Sequence, residues 1–564
     1  MRSTKSIPAL LLLFTLLLAG SCTNNRVQQE KKQTQLFESE PYQTESIDLK
    51  EKRNMARPQP LMGNEAPAKM SAPTSTISDG RSMNLPADFE EDDFNTEAYN
   101  YLQENDFTNV TESPLSTFSI DVDRASYSNV RRFINSGQLP PADAVRIEEL
   151  VNYFTYDYPQ PNGSEPFSIN IEIGECPWNS GNYLALVGLQ GKKIEMANLP
   201  PNRLTFLVDV SGSMNYGNKL PLLKQAFSLL VEQLRPQDQV AIVVYAGAAG
   251  VVLEPTPGNQ KEQILAALDK LSAGGSTAGG EGILLAYKIA QQQYKADANN
   301  RVILASDGDF NVGVSSDGEL TRIIEEKRKL GVYLTVLGFG MGNYKDSKME
   351  ILADKGNGNY AYIDDIAEAR KVLVTELGAT LLTIAKDVKI QVEFNPARIA
   401  KYRLIGYENR MLQARDFNDD TKDAGELGAG HSVTALYELT PTNSNAPVSA
   451  EVDPLKYQHA EIKPSALNSN ELMTVKFRYK PPQQDNSLLI EKPVTTSGVG
   501  QYSNNFTFAA SVASFGMLLR QSKFAGTTSI EAVLEMAKQG QGKDPEGYRK
   551  DFIELVTKAK AIKQ

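Results

Sequence analysis

Three oxygen-bearing side chains, Asp209, Ser211 and Ser213, alternate with Val210 and Gly212 directly after the apolar run of LTFLVDVSGSM. A hard divalent cation such as Mg2+ takes about six oxygen ligands, keeps part of its water shell and is often held by few carboxylates. An Asp-x-Ser-x-Ser turn supplies one negative charge and two neutral hydroxyls, and its glycine lets the backbone bend tightly. A shell this poor in charge leaves a metal electrophilic, so an acidic group of another molecule can complete it. Two further segments carry matching chemistry. In SAGGSTAGGEGI, Thr277 stands among Gly274, Gly275, Gly279 and Gly280 before an amphipathic stretch over residues 283–294. In RVILASDGDFNVG, an apolar strand over residues 302–305 runs into Asp307. Both place oxygen ligands where they can converge on one edge of a parallel sheet, the edge at which open α/β sheets bind ligands.

Asp209, Ser211, Ser213, Thr277 and Asp307, in that order on three loops, make residues 201–375 resemble the von Willebrand factor type A domain and its metal-ion-dependent adhesion site, with all five motif positions matched. The resemblance implies a divalent cation, Mg2+ first and Mn2+ or Ca2+ as alternatives. It also implies serine and threonine as direct ligands, aspartates acting often through water, and a protein partner that presents an Asp or Glu carboxylate. Each serine alone could merely cap a helix; capping does not account for three loops together. Glu281 and Asp309 lie close in sequence and could tune the site from outside the ligand shell, or could be solvated loop charges.

Apolar strands are expected at residues 204–208, 240–245, 302–305, 333–339 and 360–363, with helical patterns such as 220–234 and 320–330 between them. Near-continuous apolar strands joined by helices indicate an α/β fold with a doubly wound, mostly parallel, Rossmann-like sheet covered on both faces. Residues 251–253 suggest one antiparallel edge strand, and residues 366–377 a last helix. Before this domain, residues 118–120 alternate as a strand and a helix follows, with Ser126 or Asp123 as its expected cap. Asp121 and Asp123 read as capping and salt-bridging groups. A haloacid-dehalogenase-type nucleophile would want a small hydroxyl residue where Ala125 stands. A second helix is expected over residues 146–154, then two strands in FSINIEIGECPW and YLALVGLQGK. STFSIDVDRASYSNVRR and RIEELVNYF resemble a group of bacterial lipoproteins called YfbK-like, as does the tail.

After residue 378 strands return in VKIQVEF, KYRLIGYE, SVTALYEL and MTVKFRYK, and from about residue 506 the chain is helical, with Asp544 and Pro545 starting the last helix. Both ends of a type A domain leave on the face opposite its metal. One discontinuous β-sandwich from about 160–200 and 380–482 is therefore expected. The boundaries are 1–22 for a lipoprotein signal peptide, 23–112 for a disordered tether, 113–200 for an N-terminal α+β segment, 201–375 for the type A domain, and 376–564 for a C-terminal domain, β-rich to about 482 and then helical.

Arg2 and Lys5, the apolar run over residues 9–18 and Ala19-Gly20-Ser21-Cys22 form an export signal whose Cys resembles a bacterial lipobox; that implies lipidation of Cys22. Two or more acyl chains anchor where one binds only marginally. Thr23-Asn24-Asn25 after Cys22 lack an acidic run, which favours a periplasm-facing protein over a surface-displayed one, and the lipid-anchored chain is expected at the outer membrane. The polar stretch that follows buries too little to offset its ordering entropy, although a short helix over residues 95–102 is possible. With Cys22 modified, Cys176 has no partner and is expected to pack as a small apolar residue. A net charge of -11 argues against nucleic acid as a partner. The chain has two histidines, His431 and His459, expected on loop or strand surfaces, and no Gly-x-Ser-x-Gly elbow at the serine loops. A binding module therefore ranks above a structural organiser of an envelope complex, and both rank above a metal-dependent hydrolase. The oligomeric state is not legible.

Overall fold

Alternating apolar residues place Phe118 and Ile120 in the protein core at the start of the folded chain. The computed structural model describes residues 97–275, 279–308, 317–342, 344–376, 382–444 and 461–563; residues 1–96, where the signal segment, Cys22 and most of the tether were expected, and Thr277, Asp309 and His459 lie outside the described residues. Strands β1 (Thr108–Asn109) and β2 (Leu115–Ser119) lead into helices α1 (Ala125–Asn135) and α2 (Ile147–Asn152), then into β3 (Phe167–Glu175) and β4 (Tyr183–Gly191).

Order begins earlier than expected. Glu97 accepts hydrogen bonds from Arg132 at 2.9 Å and from the Gly342 N–H at 2.9 Å, Ala98 bridges to Lys345, and Val110 is fully buried. The described part of the stretch at 95–102 is irregular, with one bridge at Ala98, and not helical. This segment has no core of its own, so its order comes from hydrogen bonds and apolar contacts, such as Val110 in the sandwich core and Phe107 on Phe524, with a surface assembled far away in sequence. The caps expected for α1 are also absent. Ser126 donates its hydroxyl to Ala144 O, while Asp123 accepts from Tyr360 N and Arg410.

The central domain follows as β5 (Asn202–Asp209), α3 (Leu220–Gln233), β6 (Gln239–Tyr245), β7 (Ala249–Pro257), α4 (Lys261–Asp269), α5 (Gly279–Gln292), β8 (Asn299–Ser306), α6 (Asp317–Lys329), β9 (Tyr333–Phe339), α7 (Asp346–Lys355), β10 (Tyr360–Ile363) and α8 (Ile366–Arg370). Its sheet runs β10-β9-β8-β5-β6-β7, parallel except for the antiparallel edge strand β7. The period-2 alternation of a strand divides β5 between two cores. Leu204, Phe206 and Val208 pack with α3, α4 and the segment after α8, whereas Leu207 packs with α5, α6 and α7. Phe206 stacks on Phe227 at 4.2 Å, and burying each such side chain contributes about 1.5–3 kcal/mol. The last helix is shorter than expected, since after Arg370 the backbone widens into a π turn over Lys371–Thr375.

Strands β11 (Thr383–Phe394), β12 (Ile399–Ile405), β13 (Gly425–Gly428), β14 (Ser432–Pro441), β15 (Glu471–Lys480) and β16 (Leu488–Thr495) join the N-terminal strands in two further sheets. One is β1-β12-β14-β4-β3; the other is β13-β11-β15-β16, with β2 paired to β11. Their facing sides share one apolar core, so the discontinuous sandwich forms and takes in β1, β2 and β16 as well. Helices α9 (Asn504–Arg520), α10 (Ile530–Gln539) and α11 (Tyr548–Lys563) cover the other side of the first sheet together with α1 and α2. Both carboxylate oxygens of Asp544 accept from the N–H groups of Arg549 and Lys550, capping α11 three residues later than the Asp-Pro pair suggested. Cys176 is buried. His431 is buried too, at 4% exposure, and burial pushes its imidazole down to about 3. A loop or strand-surface placement was expected; His431 instead lies in the wall of a cavity that Arg124 and Glu376 also line.

Three arginines bind the central domain to the rest. Arg146 reaches Glu149 at 2.9 Å, Asp346 at 2.7 Å and Glu350 at 2.8 Å. Arg410 reaches Asp121 and Asp123, each at 3.1 Å, and Asp354 at 2.6 Å. Arg131 holds Asp364 at 2.5 Å and Glu368 at 2.7 Å. Asp121 and Asp123 thus serve as salt-bridging groups at this seam.

Candidate metal centre

In the central sheet β5 is followed by β6 on one side, and the chain then crosses to β8, β9 and β10 on the other. The crevice outside the carboxyl ends of β5 and β8 is therefore the point where strand order reverses, the usual ligand position in such sheets. Asp209 closes β5, and Asp307 directly follows the last residue of β8. Both are 0% exposed.

The Asp209 carboxylate organises the loop after it. Its Oδ1 accepts the Ser211 N–H at 2.9 Å, and its Oδ2 accepts from the Tyr245 hydroxyl at 3.0 Å and the Ser306 hydroxyl at 3.1 Å. Tyr245 stands opposite Asp209 in the β5–β6 register. Its approach depends on Gly282 in α5, where a Cβ would come within 2.7 Å of the Tyr245 Cβ. Ser211 Oγ and Ser213 Oγ lie 3.0 Å apart. Ser211 is buried and Ser213 is half-buried at the rim, beside the exposed Gly212. The glycine-rich loop is pinned beside them, since Gly212 N donates to Gly275 O at 3.0 Å and Gly274 N to Val210 O at 2.8 Å.

Four of the five motif residues, Asp209, Ser211, Ser213 and Asp307, thus meet at one edge; Thr277 lies outside the described residues, two positions beyond Gly275. Glu281 is exposed in the first turn of α5. Three groups escaped the sequence reading: Tyr245, Ser306 and Lys219. The first two stand at the carboxyl ends of β6 and β8, so strand-end position was an available signal. Lys219 gave only a weak one, a cation just before a helix, where the helix dipole disfavours it.

Burial, chiefly, pushes the Asp209 carboxyl up to about 6; the nearby charge of Asp307 adds to this, and hydrogen bonds from Ser211 oppose it. Two buried carboxylates with hydroxyls alongside form a hard oxygen donor set; the Lys219 ammonium, 3.0 Å from Asp307 Oδ2, offsets one of their charges, and the net negative set that remains fits a hard divalent cation. Among the described residues no group of three or more His, Cys, Asp or Glu is arranged to hold a metal, so such an ion would depend on the hydroxyls.

Residues 204–375 match the von Willebrand factor type A domain model, residues 93–186 a model described as von Willebrand factor, and residues 379–562 the model "Uncharacterized protein YfbK, C-terminal". The chain is 42% identical over 474 residues to "Uncharacterized protein YfbK" of Escherichia coli (strain K12), covering 83% of this chain and 82% of that one. It is 26% identical over 178 residues to inter alpha-trypsin inhibitor, heavy chain 4, of Mus musculus, covering 30% of this chain and 19% of that one. Among solved structures, "von Willebrand factor type A from Catenulispora acidiphila" aligns with 15% identity and a TM-score of 0.39, covering 71% of this chain and 91% of that one. The ArnB paralog VWA2 from Sulfolobus acidocaldarius aligns with 16% identity and a TM-score of 0.34, covering 71% and 98%. With a type A domain at its centre and high identity along most of its length, the chain belongs to the YfbK family.

Proposed function

We propose that this chain captures an Asp or Glu side chain of a partner protein through a divalent cation held at the β5–β8 edge. The observation that carries the reading is the meeting of two fully buried carboxylates, Asp209 and Asp307, with two hydroxyls 3.0 Å apart at the point where strand order reverses. Type A domains typically serve as interaction modules, which supports binding over catalysis. Ser211, Ser213 and Thr277 would hold the ion directly, and Asp209 and Asp307 would offset part of its charge, in part through water. Mg2+ is the first candidate, with Mn2+ and Ca2+ behind it. When bound, such an ion supplies an electrophilic position that a carboxylate can fill.

The chain itself supplies orientation. Tyr245, Ser306 and the Ser211 N–H fix the Asp209 carboxylate. Ser213 at the half-buried rim and the exposed Tyr216 leave the edge open to a partner. In this reading acyl chains on Cys22 anchor the protein to the outer membrane, with the folded part facing the periplasm; Cys22→Ser should then leave the membrane fraction.

The test is calorimetric titration of Mg2+ and Mn2+ into the wild type, Asp209→Ala and Ser213→Ala. The expected result is about one ion per wild-type chain and a loss of binding in both variants. Unchanged binding in both would overturn the site.

A further inference from the structure

We propose that Lys219 is a resident cation of this centre, an ammonium that holds Asp307 and makes divalent-ion binding depend on the acidic partner. The inference rests on the metal-binding reading above and adds to it a residue and a form of regulation.

Lys219 is 4% exposed and immediately precedes α3. Its Nζ donates to Asp307 Oδ2 at 3.0 Å and lies 5.4 Å from the centre of the Tyr216 ring. Its stem crosses Gly340, just after β9. That glycine has φ +77°, and a Cβ there would come 2.3 Å from Lys219 Cε, 2.5 Å from Cγ and 2.8 Å from Cδ. The chain therefore keeps a side-chain-free channel through which the lysine passes beneath the site. A positive charge at a helix N-terminus is disfavoured by the helix dipole, so the buried Asp307 and the Tyr216 ring must hold it there.

The charge balance gives the consequence. Asp209 and Asp307 with Lys219 leave the cluster one charge negative, and a divalent ion turns it one charge positive. A carboxylate from a partner restores neutrality. In a buried site an uncompensated charge is costly, so ion and acidic partner should each strengthen the binding of the other, by the same factor. Without the lysine, the two aspartates alone neutralise the ion and the partner's contribution shrinks. Within a few ångströms at a partly buried site, removing the ammonium should tighten divalent-ion binding by about tenfold or more. It should also lower the melting temperature of the ion-free protein, because Asp307 loses its ammonium.

The experiment titrates Mg2+ and Mn2+ into the full-length wild type, Lys219→Met and Lys219→Arg, with and without acetate as a carboxylate probe, and records melting curves in chelator. The expected pattern is tighter ion binding by Lys219→Met, a lower melting temperature without ion, and a smaller effect of acetate than in the wild type. Lys219→Arg keeps the charge and should retain weak, acetate-sensitive binding. Ion binding by Lys219→Met alone, with a silent wild type, also supports the lysine as a resident cation. Equal or weaker ion affinity in Lys219→Met, with the far-UV circular dichroism unchanged, overturns the proposal and leaves the metal reading standing. If neither protein binds an ion, the metal reading itself falls, and this proposal with it.

Discussion

Replacing Arg146 with Met tests how the central domain is seated. Arg146 is 3% exposed and faces three carboxylates at 2.7–2.9 Å, those of Glu149, Asp346 and Glu350. Each contact is worth about 5 kcal/mol of gross attraction at 3 Å with an effective dielectric near 20. Desolvation of the ions offsets much of that sum, and removing one partner of a buried ion pair typically costs about 3–5 kcal/mol because the other charge stays buried. The carboxyls can escape by taking up protons, and they are already inclined to do so. Burial pushes Glu149 up to about 7 and Glu350 up to about 8 even though Arg146 opposes the shift. Without the arginine these groups should stay protonated to higher pH, so the folded variant holds more protons than its unfolded chain over a wider range. Its stability then falls more steeply as pH rises, and the gap to wild type should widen by roughly 1–2 kcal/mol between pH 6.5 and 8.5. The assay is urea unfolding followed through Trp178, which shares an apolar cluster with Ile147 and Leu150 on the helix that Arg146 precedes. A loss below about 1 kcal/mol at pH 8.5, or a gap that does not change with pH, would refute the account of a charge-compensated seam.

Two further outcomes follow from the same structure. Gly340→Ala imposes a left-handed backbone on alanine, at a cost of about 1–2 kcal/mol, and drives the new methyl into the Lys219 stem. A lower melting temperature together with tighter Mg2+ binding is expected, and a variant that melts like wild type would contradict the packing described. For the wild type, Glu149 and Glu350 have folded values raised above the usual 4.5. The stability they contribute is complete below 4.5 and is lost as pH rises through 7 to 8, so melting temperature should fall from pH 6.5 to 8.5. That window lies above the region where His431, held down to about 3, acts in the opposite direction. Glu350→Gln should flatten the slope, and an unchanged slope would remove Glu350 as its source.

Much of this fold was legible because its determinants are local. The near-continuous apolar run of β5 and the helical spacing of Leu220, Leu223 and Phe227 state a buried strand and its covering helix within one short stretch. Asp209, Ser211 and Ser213 belong to a single turn, and Asp307 belongs to a strand end of the same kind. Their meeting follows from parallel order alone, since equivalent strand ends lie on one edge. The antiparallel β7 was readable from its short distance to β6, which leaves no room for a crossover.

What escaped depends on contacts between distant residues. Arg410 and Asp121 are 289 positions apart, and nothing in the periodicity near either names the other. The order of residues 97–112 is decided by partners such as Arg132 and strand β12, with which β1 pairs. His431 follows a loop glycine and precedes a strand, and only the tertiary fold sets it in the buried wall of a cavity that Arg124 and Glu376 also line. At the candidate centre, the oxygen donors and the strand ends that carry them were readable from the chain, because ligand type and strand register are properties of short segments. The tertiary structure alone decided that Tyr245 and Ser306 fix Asp209 and that Lys219 reaches Asp307 across Gly340, because a side chain's electrostatic neighbours are set by packing between elements and not by order along the chain.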